Sequence, residues 1–230
     1  IGQWLKAGIM EDGTVRESLA GTPQGGVISP LLSNIYLHAF DQAWEKSLGV
    51  LVRYADDFVV MCQRESQAKE SYRRIEGILA GLGLELNAEK TRRVDLRHGK
   101  EGFNFLGCTV RKRRSIQRNP RLHFMQRWPS PKGTKKIRER VRGLTRVRGN
   151  RIKGIEEMLK GLNPILRGWG NYFRTGNADR EFNKMDHYVR MRLWRWQRRR
   201  DGQRRGIRPW QNSPDRLYTM GLHRLQGATL

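Results

Sequence analysis

Leu51-Val-Arg-Tyr-Ala-Asp-Asp-Phe-Val-Val-Met61 is the stretch around which the rest of the chain is arranged. Two apolar runs, 50–54 and 58–62, are separated only by Ala55, Asp56 and Asp57. Both runs are rich in β-branched and aromatic residues, which favours two strands joined by a tight turn. Such a hairpin sets two adjacent carboxylates at its tip, where they stay hydrated or meet a metal ion. Oxygen-rich acidic sites suit Mg²⁺, and paired ions roughly 3.5–4 Å apart hold the attacking and leaving oxygens in phosphoryl transfer. Alone, Asp-Asp is also an ordinary way to make a turn. The surrounding motifs decide between the two.

The 46 basic and 22 acidic residues leave a formal charge of +24 on 230 residues. An excess of that size repels itself unless the fold works against a polyanion. Nucleic acid is the favoured partner, through phosphate contacts and counterion release. No stretch is apolar and long enough to span a bilayer, and no membrane partner is expected. Cys62 and Cys108 lie in apparent strands, outside any zinc-ligand spacing, and read as small core residues in a reducing compartment. The opening Ile-Gly-Gln-Trp-Leu-Lys has no secretory pattern, and its first residue implies a start inside a longer protein.

Upstream, residues 1–20 read as the end of a helix, a turn and an extended piece at 15–19. Segment 21–26 holds three glycines and Pro23, so the backbone can approach a ligand closely, and Gln24 adds an amide that both donates and accepts. By itself this is also a flexible loop before a helix. Ser29 as N-cap and Pro30 at the first helical position start a helix to about Trp44. Its apolar face, Leu31, Ile35, Ala39 and Ala43 with Leu32, Tyr36, Phe40 and Trp44, is expected to pack under the hairpin. A second helix runs from Ser66 to Leu82 on Ala68, Tyr72, Ile75, Leu79 and Leu82, with Gly83 after its end. A short strand at 84–86 and a second hairpin, 92–96 with 103–110 around His98-Gly99, follow. Helix, hairpin and helix in alternation make the fold class α+β.

Beyond Arg111 the composition turns basic and proline-broken, which puts a domain boundary between about 111 and 131: 1–115 and 116–230. Residues 132–148 set Lys135, Lys136, Arg138, Arg140, Arg142, Arg146 and Arg148 around a stripe of Ile137, Val141 and Leu144. A solvated face is the usual fate of such charges, but the Arg density favours RNA, whose phosphates and bases suit the planar guanidinium. A helical period continues to Leu162, where Asn163-Pro164 starts a fresh turn. Trp169, Tyr172 and Phe173 pack a small helical core, and Gly168 and Gly170 permit close helix contact. A last helix over 179–200 carries Phe182, Met185, Val189, Leu193 and Trp196, and the tail adds Trp210, Leu217, Leu222 and Leu225.

Taken together, Gly-Thr-Pro-Gln-Gly-Gly-Val-Ile-Ser-Pro at 21–30, Tyr-Ala-Asp-Asp at 54–57, Leu-Asn-Ala-Glu-Lys-Thr at 86–91 and Phe-Asn-Phe-Leu-Gly at 103–107 resemble, in order and spacing, the reverse transcriptases encoded by bacterial group II introns. Residues 161–174 resemble the same family's maturase region, so the likeness covers nearly the whole chain. The resemblance implies a partial right-hand palm followed by a helical thumb, with RNA-directed DNA polymerase and intron maturase functions. It implies Mg²⁺ on Asp56 and Asp57, a nucleotide pocket of Pro23, Gln24, Gly25, Tyr54 and Ala55, Lys90 at the leaving pyrophosphate, and Phe105, Leu106 and Gly107 gripping the primer. Partners would be group II intron RNA, RNA template, DNA primer and dNTPs, in the bacterial cytoplasm at the nucleoid. The fingers and the acidic motif upstream of 21–26 have no counterpart, and Glu11, Asp12 and Glu17 do not fit the family's pattern. Little polymerase activity is therefore expected from the chain alone, without an upstream fragment or a second copy. The competing reading is a non-catalytic RNA-binding splicing factor; a general basic chaperone fits the charge but leaves the motifs unexplained.

Overall fold

A computed structural model describes residues 9–11, 14–16, 28–114, 122–146, 154–200 and 215–227. The fold is α+β, in two compact units, 1–93 and 94–230. The division falls ahead of the compositional shift at 111–131, and the strands after Glu101 pair with one another in a sheet of their own.

In the first unit, β1 (Ile9–Glu11) and β2 (Thr14–Arg16) form a small antiparallel pair. Helix α1 spans Ser29–Ala43, with Pro30 in its first turn; Ile28, not Ser29, is the N-cap residue, and it makes no side-chain cap. β3 (Val50–Tyr54) and β4 (Asp57–Met61) pair antiparallel with Tyr54 opposite Asp57. The connecting loop is therefore two residues, and Asp57 opens β4 instead of closing a three-residue turn. Gly49 is required just before β3: at φ 116°, a Cβ there would lie 2.7 Å from the Met61 carbonyl. Helix α2 runs Glu65–Gly81 and ends at Gly83, whose φ of 67° is the left-handed stop expected from the sequence.

The core of this unit gathers Leu37, Phe40, Ile75 and Leu79, with Leu51, Phe58 and Val60 against them. Alternation puts Val50, Val52, Tyr54 and Met61 on the other face of the hairpin, where they are 60, 42, 65 and 54% exposed. On α1 the buried stripe is Leu37 and Phe40, while Leu31 and Ile35 remain 58 and 57% exposed. The expected packing of the whole Leu31–Ala43 row is thus corrected.

In the second unit, β5 (Gly102–Phe105), β6 (Cys108–Arg114) and β7 (His123–Pro129) form one antiparallel sheet in that order. Its first turn is Leu106-Gly107, not His98-Gly99, and neither 84–86 nor 92–96 is strand. Three helices follow: α3 (Pro131–Leu144), α4 (Ile155–Phe173) and α5 (Asp179–Arg200). Ser130 caps α3 by accepting a bond from Gly133 N at 3.1 Å. α4 passes through Pro164 without a break, against the expected fresh start. Pro164 forfeits one backbone bond, but Leu159, Leu162 and Leu166 are buried on both sides of it and hold the helix in one piece. Asn163 meanwhile donates to Gly221 O and accepts from His223 N, both at 2.8 Å, so it pins the C-terminal segment instead of capping a helix. Gly170 allows that segment close approach, since a Cβ would meet Leu225 Cδ2 at 2.8 Å; Gly168 has open space. All five predicted apolar residues of α5 are buried. A short helix, α6 (Asp215–Thr219), precedes the clasp, where Asp186 accepts from the Leu225 and Gln226 amides.

Burial holds His223 below its usual 6.5, with Arg167 adding to the effect and Asp186 opposing it. A base depressed in the folded state contributes stability fully above its unfolded value and loses it as pH falls through the lower folded value. Asp186 runs oppositely: burial raises it, so its contribution is greatest at low pH and is lost as pH rises through the raised value. The expected result is that His223→Gln flattens the loss of thermal stability just below pH 6.5, read from melting curves across that range. An unchanged slope would contradict the assignment to His223.

Candidate active site and nucleic-acid interface

Asp56 and Asp57 both lie exposed at the β3–β4 tip, Asp56 within the loop and Asp57 paired with Tyr54. Ala55 has φ 53°, a left-handed conformation that a residue with a Cβ enters at a cost of about 1 kcal/mol or more. Arg53 holds it there. Its side chain lies on the inner face and donates to the Ala55 carbonyl at 2.8 Å, to Asn34 Oδ1 at 3.1 Å and, through two nitrogens, to Asp41. Asn34 and Asp41 are seven residues apart on α1 and so share a face. The bidentate pair holds the Asp41 carboxyl below its usual value, with the Arg53 hydrogen bond as the largest cause. Sequence reading missed Arg53; the signal was a charged residue at an inward position of an otherwise apolar strand.

Replacing Arg53 by glutamine is expected to cost ~2 kcal/mol, the size of a charge-assisted bond lost with its partner left half-buried. Arg53→Lys retains charge but not the fork and is expected to fall between. Urea unfolding of the three proteins reads this, and equal midpoints would rule out the anchoring role.

The two carboxylates are hard oxygen donors and fit Mg²⁺ in kind. Among the described residues no third His, Cys, Asp or Glu joins them. Lys90 sits exposed in a turn where its own amide bonds Asn87. Pro23, Gln24 and Gly25 lie outside the described residues, as do Glu17, Arg148 and Trp210.

The tip formed by Leu106 and Gly107 has both residues left-handed, at φ 47° and 74°. It too is braced, by helices of its own unit. Tyr172 donates through its hydroxyl to the Leu106 carbonyl at 2.7 Å, and the Ser130 amide to the Gly107 carbonyl at 2.8 Å. Phe173 is buried in the core, whereas Tyr172 is 57% exposed and serves the turn through its hydroxyl. Cys108 is free and half-buried, and burial pushes its thiol up; Cys62 is also free and lies just past β4.

Along α3 the narrow stripe is as expected: Ile137 and Val141 are buried, and Lys135, Lys136, Arg140, Arg142 and Arg146 are exposed. Arg138 turns inward, 5.2 Å over the Tyr188 ring of α5. It borders a cleft of about 620 Å³ shared with Lys184, His187, Arg192 and Arg195, a cationic surface on α5 that sequence reading left out. Arg192 bonds Thr145 Oγ1 at 2.9 Å and caps the end of α3.

The chain thus presents a tight acidic hairpin packed on two helices and, later in the sequence, a cationic helical unit. Residues 1–110 match the family profile of reverse transcriptase (RNA-dependent DNA polymerase), and 134–213 match the group II intron maturase-specific domain. The chain belongs to the group II intron reverse transcriptase/maturase family. It is 35% identical to protein YkfC of Escherichia coli K12, over 48% of this chain and 38% of that protein. It is 52% identical to the group II intron-encoded protein LtrA of Lactococcus lactis subsp. cremoris, over 17% of this chain and 7% of LtrA. It is 45% identical to an uncharacterized 91 kDa protein in the cob intron of Schizosaccharomyces pombe, over 16% of this chain and 5% of that one. The chain thus spans well under half the length of these relatives.

Proposed function

We propose that this chain supplies the nucleotidyl-transfer hairpin and the RNA-binding helices of a group II intron reverse transcriptase/maturase. The observation that carries the reading is the Asp56–Asp57 pair, displayed on a turn that Arg53 locks to α1. Asp56 and Asp57 would hold Mg²⁺, which when bound supplies charge stabilisation to the transferring phosphoryl group and its attacking hydroxyl. Tyr54, 65% exposed and directly opposite Asp57, offers a ring to the nucleotide or primer beside the carboxylates. The braced Leu106-Gly107 turn supports the primer end. Pro23, Gln24, Gly25 and Ala55 shape the nucleotide pocket, and Lys90 neutralises the leaving pyrophosphate.

A two-ion site takes a further carboxylate, which we assign to an upstream half of the enzyme, whether in one polypeptide, a separate fragment or a second copy. The exposed cations of α3 bind intron RNA, and template RNA, DNA primer and dNTPs meet at the hairpin, in a bacterial cytoplasm close to the nucleoid. The test is binding of cognate and scrambled intron RNA over a salt series, alongside primer extension on an RNA template. Tight cognate binding with extension in the presence of the upstream half supports the proposal. Cognate binding without any extension favours a splicing factor whose Asp pair is idle.

A further inference from the structure

The sheet β5–β6–β7 packs one face on the helical core at its Cys108–Pro129 end, while His123, Met125 and Arg127 further along that face are exposed. Register places Phe105, Cys108, Val110 and Pro129 together, and Cys108 packs on the helical core. The opposite face carries Thr109, Arg111, Arg113, Phe124, Gln126 and Trp128, with Asn104 and Gly102 at its β5 edge and no carboxylate. Two features of this face are built. Arg113 lies over the Trp128 ring with its guanidinium carbon 3.9 Å from the centroid. Arg111 is fixed from behind, its Nε donating to the Gly99 carbonyl at 2.8 Å. Gly99 is needed for that contact, since it sits at φ 64° and a Cβ would lie 2.5 Å from the Lys112 carbonyl. The glycine that resembles a hairpin turn in the sequence is therefore used to aim an arginine.

What such a face fits follows from its chemistry. Phe124 is 45% exposed, and no carboxylate pairs with Arg111 or Arg113 among the described residues. An apolar protein surface would have to desolvate two guanidinium ions without compensation. A duplex hides its base faces, leaving Phe124 and the Arg113–Trp128 stack without partners. An unpaired strand offers both, since bases stack on rings and guanidinium planes while phosphates meet the free edge of Arg111.

We propose that this sheet face, with Phe124 and the Arg113–Trp128 stack upon it, is a binding site for a single-stranded polynucleotide. Bases stack on Phe124 and on the Arg113–Trp128 pair, and Arg111 holds a phosphate. It shares with the proposed function only the premise that the chain binds nucleic acid.

The experiment measures binding of fluorescein-labelled oligouridine and oligothymidine, of about ten nucleotides, and of a blunt RNA hairpin by the full chain across salt. Arg111→Gln with Arg113→Gln is expected to weaken binding to the single strands about tenfold or more and to lower the salt slope by about 0.7, for the one phosphate that Arg111 holds. Phe124→Ala is expected to weaken it about tenfold with the slope unchanged, because a base contact releases no counterion. Hairpin affinity should stay within about twofold in both variants. Loss on either strand chemistry supports the site. Unchanged single-strand affinity in both variants, or a change in oligomeric state in place of binding, overturns it. A parent chain that binds no nucleic acid at all defeats the broader reading as well, so the two failures are distinguishable.

Discussion

Neutralising Lys135, Lys136, Arg140 and Arg146 together, each to glutamine, is expected to weaken binding of structured intron RNA about 100-fold near physiological salt. All four are exposed on or just beyond α3, while Ile137 and Val141 beneath them are buried and untouched, so the fold should be unaffected. If each cation displaces about one counterion, the slope of log affinity against log salt falls by about 3–4. Phosphate contacts carry no sequence information, so cognate and scrambled RNA should weaken alike. Arg138 is left out deliberately, because its guanidinium stacks on Tyr188 and its loss would also disturb packing. Filter binding at several salt concentrations reads both quantities. An unchanged slope would mean that the RNA lies elsewhere, with the α5 side of the cleft the next place to look.

Asp56→Ala with Asp57→Ala is expected to lower primer extension by a factor on the order of 10³ or more in the completed polymerase, since it removes the charge that would hold Mg²⁺ at the reacting phosphate. The same change should leave thermal stability within about 0.5 kcal/mol, as befits exposed surface positions. RNA binding should be unaffected or slightly tighter, because two negative charges are gone. The combination matters: lost extension with lost stability would place the pair in the scaffold, and retained extension would remove it from the chemistry. Asp57, fixed in β4 opposite Tyr54, is expected to tolerate asparagine less well than Asp56 in the loop, where the backbone can adjust.

Much of this was legible in the sequence wherever one period ran unopposed. Phe182, Met185, Val189, Leu193 and Trp196 repeat at helical spacing, and α5 buries all five. The narrow stripe of α3 and the acidic hairpin were equally plain. The misreadings share a cause: local signals were outvoted by contacts distant in sequence. Pro164 looks like a helix start, but leucines on either side of it enter one core. Gly99 looks like a hairpin turn, yet its left-handed backbone serves close approach to β6 while Leu106-Gly107 turns the chain. On α1 two neighbouring apolar stripes compete, and only the placement of α2 and the hairpin decides that Leu37 and Phe40 go inside. Arg53 had no motif to announce it, because its role depends on Asn34 and Asp41 arriving beside it in space.

Primer extension on an RNA template with Mg²⁺, by this chain with and without a separately supplied upstream reverse transcriptase half, goes most directly to the central claim. The account predicts extension when the upstream half is present and little or none in its absence. Cognate RNA binding that never yields extension, with the upstream half bound and Mg²⁺ in excess, would contradict the assignment of Asp56 and Asp57 as a working catalytic pair.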